Sequence, residues 1–296
     1  MSSNSRTLLP VGKVVILVVL FLIPLLLVMV RSTFLLPSSL PPPPLPTTTT
    51  ISISELKPLD GPALPTPKPC NKTPPSLARA LVHYATTKVI PQQTLEEVSF
   101  TLQLLIDKSP CNFLVFGLGH DSLMWSSLNH RGRTVFLEED QSWIQQMAEK
   151  LPSMEAYHVQ YPTKVHQWKE LMKIGLGRPC QEVIDPRLSK CSLAHKGFPE
   201  DIYDVEWDLI MVDAPTGYHE KAPGRMTVIY TVGLMAKNRG SGETDVFVHD
   251  VDRPIEDEFS RAFLCKGYMR EQAGLLRHFT IPSHKQHIGQ PFCPPS

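Results

Sequence analysis

Apolar residues along this chain fall into short unbroken runs, separated by stretches in which they recur at helical spacing. Residues 112–121 read Asn-Phe-Leu-Val-Phe-Gly-Leu-Gly-His-Asp, and residues 134–140 read Thr-Val-Phe-Leu-Glu-Glu-Asp. Residues 207–217 read Trp-Asp-Leu-Ile-Met-Val-Asp-Ala-Pro-Thr-Gly, and residues 245–250 read Asp-Val-Phe-Val-His-Asp. Short apolar runs of this kind are the pattern of parallel strands buried on both faces. The first run ends in a glycine turn and the other three end in acids. Ligands of open α/β sheets sit beyond the carboxyl ends of the strands. Four such ends predict a nucleoside-binding site with a polar reaction centre beside it.

The stretches between these runs have the helical period. Residues 76–87 carry Leu77, Ala80, Leu81 and Tyr84 on a predicted helix. Thr94 with Glu97 forms a capping-box pattern, and Leu95, Val98, Leu102, Leu105 and Ile106 follow at helical spacing. Further helices are predicted at 122–128, 141–151, 164–174 and 225–237, and from Pro254, well placed as a first helical residue, to about 264. Residues 157–160 and 275–281 read as two more strands. Alternating β and α elements predict a doubly wound α/β sheet, mostly parallel. Residues 175–199, with two cysteines, read as an irregular insertion before the strand at 207–213.

The N-terminal part follows different rules. Residues 14–30 are an uncharged apolar run at the short end of the roughly 17–25 residues that span a bilayer. The run is too long for the core of a cleaved signal and lacks a small-residue cleavage pattern, so an uncleaved signal anchor is expected. Arg6 and Lys13 precede it, and after Arg31 no basic residue appears until Lys57. The positive-inside rule then predicts a cytosolic tail at 1–13 and a lumenal bulk. Residues 31–75, rich in Pro, Thr and Ser, read as a semi-rigid stem, and the domain proper spans 76–296. Asn71 opens a glycosylation sequon on the lumenal side.

Composition narrows the partners. Lys plus Arg and Asp plus Glu both total 29, so bulk charge gives no support to a nucleic-acid partner. An oxidising lumen permits disulfides among the six cysteines. Cys180 with Cys191 and Cys265 with Cys293 are two of the pairings open to them. No spacing of a structural zinc site is present.

The candidate chemistry sits at the strand ends. Gly117 and Gly119 allow backbone to approach a ligand closely, although Ser122 stands where a dinucleotide fingerprint has its third glycine. Glu138, Glu139 or Asp140 lies about 20 residues further on, where nucleoside-binding sheets place an acid on the ribose. Glu138, the first beyond the apolar run, is favoured. Asp213 and Asp250 would meet if their strands are neighbours, with His249 and His219 close by. Such a group could hold a hard divalent cation or supply a general base for a hydroxyl. Arg225, at the start of a helix, is a candidate reader of a carboxylate. Asp252 and Arg253 could pair with each other. The structural alternatives, capping and strand-end turns, stay open for each of these residues.

At these residues the chain closely resembles the plant glucuronoxylan 4-O-methyltransferases, within the broader irregular-xylem family. The likeness is carried by residues 91–95, 112–125, 135–140, 207–219, 222–226 and 244–253. The resemblance implies an S-adenosylmethionine-dependent methyltransferase sheet and transfer of a methyl group to the 4-hydroxyl of glucuronic acid side chains on xylan. It implies a single-pass Golgi membrane protein with its catalytic domain in the lumen, working beside xylan-synthesising glycosyltransferases. By the same resemblance Gly117 and Gly119 line the cofactor and Glu138 holds its ribose. Asp213, His249 and Asp250 stand where related enzymes place metal ligands or bases. Methylation of arabinogalactan, a non-catalytic Golgi scaffold and a nicotinamide oxidoreductase are the competing readings.

Overall fold

Seven strands form one sheet in the order β3-β2-β1-β4-β5-β7-β6. They are β1 (Asn112–Phe116), β2 (Arg133–Glu138), β3 (Glu155–His158), β4 (Leu209–Val212), β5 (Glu243–Val248), β6 (Met269–Ala273) and β7 (Leu276–Pro282). The computed structural model describes residues 73–88, 90, 92–286 and 289–295, within a compact unit of Pro69–Ser296. The expected cytosolic tail, membrane anchor, the stem up to residue 72 and the sequon at Asn71 lie outside the described residues. Among the described residues no helix is long and apolar enough to cross a membrane.

The first five strands are parallel, and β7 runs antiparallel to both β5 and β6. The doubly wound expectation therefore holds for the site-bearing part, and a hairpin closes one edge. Strand β6 was not expected. Its exposed, polar residues carry no apolar run, and pairing with β7 makes it a strand. Strand β3 begins two residues before the predicted 157–160.

Alternation within the runs sorts the core. Leu114, Phe116, Val135, Leu137, Ile210, Val212, Val246 and Val248 face one side. Phe113, Val115, Phe136, Leu209, Met211 and Phe247 face the other. The second face is covered by α2 (Leu95–Lys108), α3 (Ser122–Leu128) and α4 (Gln141–Lys150), through Leu105, Trp125 and Met147. A short α1 (Pro75–Thr86) precedes them, and its Tyr84 hydroxyl donates to His120 O at 2.7 Å.

The first face packs on α7 (Met226–Asn238), which is buried along nearly its whole length. A helix apolar all round needs cover on its outer side too. The insertion at 175–199 and a π-helical turn at Ser260–Cys265, continuing α8 (Pro254–Phe259), supply it. Two smaller helices, α5 (Trp168–Gly175) and α6 (Glu200–Asp204), flank the insertion. Disulfides Cys180–Cys191 and Cys265–Cys293 tie down the insertion and the C-terminal segment.

Candidate active site at the switch point of the sheet

Strand order reverses at β1: the chain winds outward to β2 and β3, then returns to place β4 on the other side of β1. Crevices at such points are where open α/β sheets hold ligands. A cavity of about 360 Å³ opens there, within the size range of small-molecule sites. Gly117, Gly119, Glu138, Asp213 and Asp250 all line it. Sequence positions spread over more than a hundred residues therefore meet along one sheet edge.

Gly117 has φ +110, a conformation closed to ordinary side chains, and a Cβ there would lie 3.4 Å from Ala214 Cβ. Glu138 Oε2 accepts from Leu118 N at 2.9 Å, and its Oε1 accepts from Glu139 N at 2.8 Å and Asp140 N at 2.9 Å. These donors fix the carboxylate against the glycine turn. Glu139 also lines the cavity and holds Thr216. Asp140 is an N-cap, accepting from Ser142 N and Trp143 N of α4. The three acids thus separate into two cavity residues and one cap.

Asp213 follows β4 and His249 follows β5, and the pairing of these strands brings the two side chains together. His249 Nδ1 lies 3.1 Å from Asp213 Oδ1 and 3.5 Å from Asp250 Oδ1. Burial disfavours a charged His249, but the hydrogen bonds with Asp213 and Asp250 outweigh it and raise the imidazole to about 10. Burial likewise works against a charged Asp250, yet His249, Arg225 and Arg253 together lower it to about 2. Asp250 has φ +62, a left-handed conformation that aspartate tolerates better than most residues.

Asp213 is the carboxylate of this group most open to the cavity, with 27% of its side chain exposed against 14% for Asp250. Gln93 Nε2 reaches its Oδ2 at 3.3 Å. Asp121, beside it, accepts from Trp125 Nε1 at 2.8 Å, and burial followed by the Asp213 charge pushes its carboxyl up.

Of the two expected substrate readers, Arg225 lines the cavity but is almost wholly buried, and His219 lies outside the lining. Arg225 is 3% exposed. Its Nε donates to Pro215 O, one terminal nitrogen to His249 O, and the other to Asp213 O and Asp250 Oδ2, all at 2.8–3.0 Å. A guanidinium spent on main-chain carbonyls is a strut, because the chain leaves strands β4 and β5 with carbonyls that need donors. His219 is exposed in the turn before Ala222 and does not line the cavity. His120 is the imidazole that does, together with Tyr218.

Arg253 lines the cavity, 31% exposed, and pairs with Asp250 at 3.0 Å rather than with Asp252. Gln93, His120 and Arg253 carried no signal of spacing in the sequence. Arg253 was legible only as a neighbour of the strand-end acid.

Asp213, His249 and Asp250 each offer one ligand atom, all within 4.8 Å of one another. Two carboxylates and an imidazole are a donor set that a divalent cation accepts. The proton shared through His249 Nδ1 fills the same space, so cation and proton are alternatives there.

Residues 96–279 match the family model IRX15/IRX15L/GXM. The chain is 66% identical over 230 residues to glucuronoxylan 4-O-methyltransferase 3 of Arabidopsis thaliana, covering 78% of this chain and 77% of that one. It is 47% identical over 227 residues to arabinogalactan O-methyltransferase 2 of Arabidopsis thaliana, covering 74% and 78%. Among solved structures, a methyltransferase-like protein from Silicibacter pomeroyi aligns with 12% identity and a TM-score of 0.35, over 65% of this chain and 89% of that one. Gly117, Glu138, Asp213, His249 and Asp250 all fall inside the matched region, and the chain belongs to the IRX15/IRX15L/GXM family.

Proposed function

We propose that this protein transfers a methyl group from S-adenosylmethionine to the 4-hydroxyl of glucuronic acid side chains on glucuronoxylan. One observation carries the chemistry: a partly exposed carboxylate, Asp213, shares a cavity with a glycine turn and a strand-end acid at the switch point of the sheet. The names of the relatives supply the acceptor. When bound, S-adenosylmethionine supplies an electrophilic methyl group on a sulfonium. Gly117 lines the cavity without a side chain, which suits a cofactor whose polar atoms must approach backbone closely. Glu138, already oriented by three backbone N–H groups, keeps acceptor capacity for a ribose hydroxyl.

The acceptor hydroxyl must lose its proton as the new C–O bond forms and the S–C bond breaks. Asp213 takes that proton, with His249 and Gln93 holding the carboxylate in place. Arg253 pairs with the glucuronate carboxylate, the role that the burial of Arg225 leaves to it. Asp213, His249 and Asp250 are the residues that would hold a divalent cation in place of the shared proton, and the chemistry it would supply is Lewis-acid polarisation of the hydroxyl. The anchor and stem expected at 14–75 support a lumenal site on the Golgi membrane, beside the xylan-synthesising glycosyltransferases.

The test is transfer of a radiolabelled methyl group to glucuronoxylan and arabinogalactan side by side, with and without a chelator. Label on the glucuronic acid of xylan is expected, and Asp213→Asn should remove it while leaving the fold intact. Preferential labelling of arabinogalactan would move the acceptor. No labelling of either, with no calorimetric heat on adding S-adenosylmethionine, would leave the scaffold reading.

A further inference from the structure

A second cavity, about 610 Å³, lies between the end of β3, the disulfide-tied insertion and the start of α7. It shares no lining residue with the first. Three of its side chains are at least nine-tenths buried and end in polar atoms without a hydrogen-bond partner: Tyr161 Oη, His195 Nε2 and Thr227 Oγ1. Buried polar atoms are nearly always paired. Three orphans on one cavity of ligand size point to a partner that supplies several donors and acceptors at once.

The lining selects its chemistry. Burial pushes His195 down to about 4, so the imidazole is neutral at ordinary pH. The Tyr161 phenol is pushed well above its usual range by burial and by Glu138 and Glu139, so it stays a donor. Gln160 and Ser192 add neutral polar groups, and Ala194 and Pro162 add apolar surface. Lys196 and His158 are the other titratable residues on the lining, and both are exposed. No carboxylate and no arginine faces this space. Neutral hydroxyls with small apolar faces fit such a wall, and a charged sugar finds no buried counter-charge.

Tyr161 also stands close to the first site. Val159 N donates to Glu138 O at 2.9 Å, so the segment carrying Tyr161 leaves the sheet directly beside the strand-end acid. We infer that this cavity is a subsite for a neutral sugar unit of the acceptor polymer, a pentose of the xylan backbone, held by Tyr161, His195 and Thr227. The inference rests on the proposed acceptor.

The experiment measures binding of unbranched xylotetraose, which carries no glucuronic acid, to the full chain by titration calorimetry, with S-adenosylmethionine titrated separately. Tyr161→Phe and Thr227→Val each remove one hydroxyl with little change of shape. The double variant is expected to weaken xylotetraose binding at least tenfold and to leave S-adenosylmethionine affinity within twofold. Overturning results are no binding of the tetraose to the unaltered chain, equal binding by the double variant, or a parallel loss of S-adenosylmethionine affinity, which would join the cavity to the cofactor site. Free glucuronic acid displacing the tetraose would also overturn it. Failure of the proposed function itself would show separately, as absent S-adenosylmethionine binding.

Discussion

Two arginines that no sequence pattern distinguishes have different fates in the fold. Both line the cavity, but Arg225 is 3% exposed and tied to main-chain carbonyls, whereas Arg253 keeps 31% of its side chain exposed. Removing one partner of a buried charged network leaves the rest uncompensated, at a cost of about 3–5 kcal/mol. Arg225→Ala should therefore lower the melting midpoint by roughly 10 °C. Arg253→Ala should keep its fold and lose about tenfold or more in kcat/KM on glucuronate acceptors, the scale of one charged hydrogen bond. Scanning calorimetry and acceptor kinetics on both variants check this pair, and an unfolded Arg253→Ala would refute it.

Glu256 adds a pH dependence at the same scale. Both its carboxylate oxygens are buried without hydrogen bonds, and burial raises it from 4.5 to about 7, the Arg225 charge opposing only in part. A raised acid favours folding in its protonated form. Its contribution is complete below pH 4.5 and is lost as pH climbs through about 7, a change on the order of 3 kcal/mol. Glu256→Gln cannot ionise, so its urea-unfolding stability should gain on the wild type as pH rises across that window. Parallel pH curves for the two proteins would rule this out.

At the scale of elements, what could be read from sequence was what is local. The box between Thr94 and Glu97 spans three residues, and both of its hydrogen bonds form. The same Glu97 also accepts from Leu275 N at 2.7 Å, a partner 178 residues away. That bond fastens the β6–β7 hairpin to the start of α2, and no pattern of spacing announces it. Thr94→Ala should cost about 1 kcal/mol, the usual loss of a cap. Glu97→Ala removes the side-chain half of the box, stranding the Thr94 N–H, and also strands the Leu275 N–H, so about 2–3 kcal/mol is expected. Faster amide exchange at Leu275 in Glu97→Ala, and not in Thr94→Ala, is the distinguishing measurement. Strand β6 was missed for the same reason: its residues are polar, and only β7 alongside makes them a strand.

Across the whole molecule, two disulfides brace the side of the sheet that carries α7. Cys265–Cys293 closes a separation of 28 residues, against 11 for Cys180–Cys191. Loop-closure entropy then gives the longer bridge the larger effect, about 3 kcal/mol or somewhat more. Replacing Cys265 and Cys293 by serine should lower urea stability by that amount. A reducing agent should then destabilise the wild type more than this variant.

The sequence by itself determined six of the seven strands, most helices, the glycine turn and the acids that end the strands. Those follow from periodicity, capping and turn chemistry, all set within a few residues. Only the tertiary structure decided which of those acids meet and which cation is left to face a substrate. It also decided where three polar groups from the segment after β3, the insertion and α7 converge on a second cavity. These outcomes depend on strand order, because the return of β4 to the far side of β1 decides which distant side chains become neighbours.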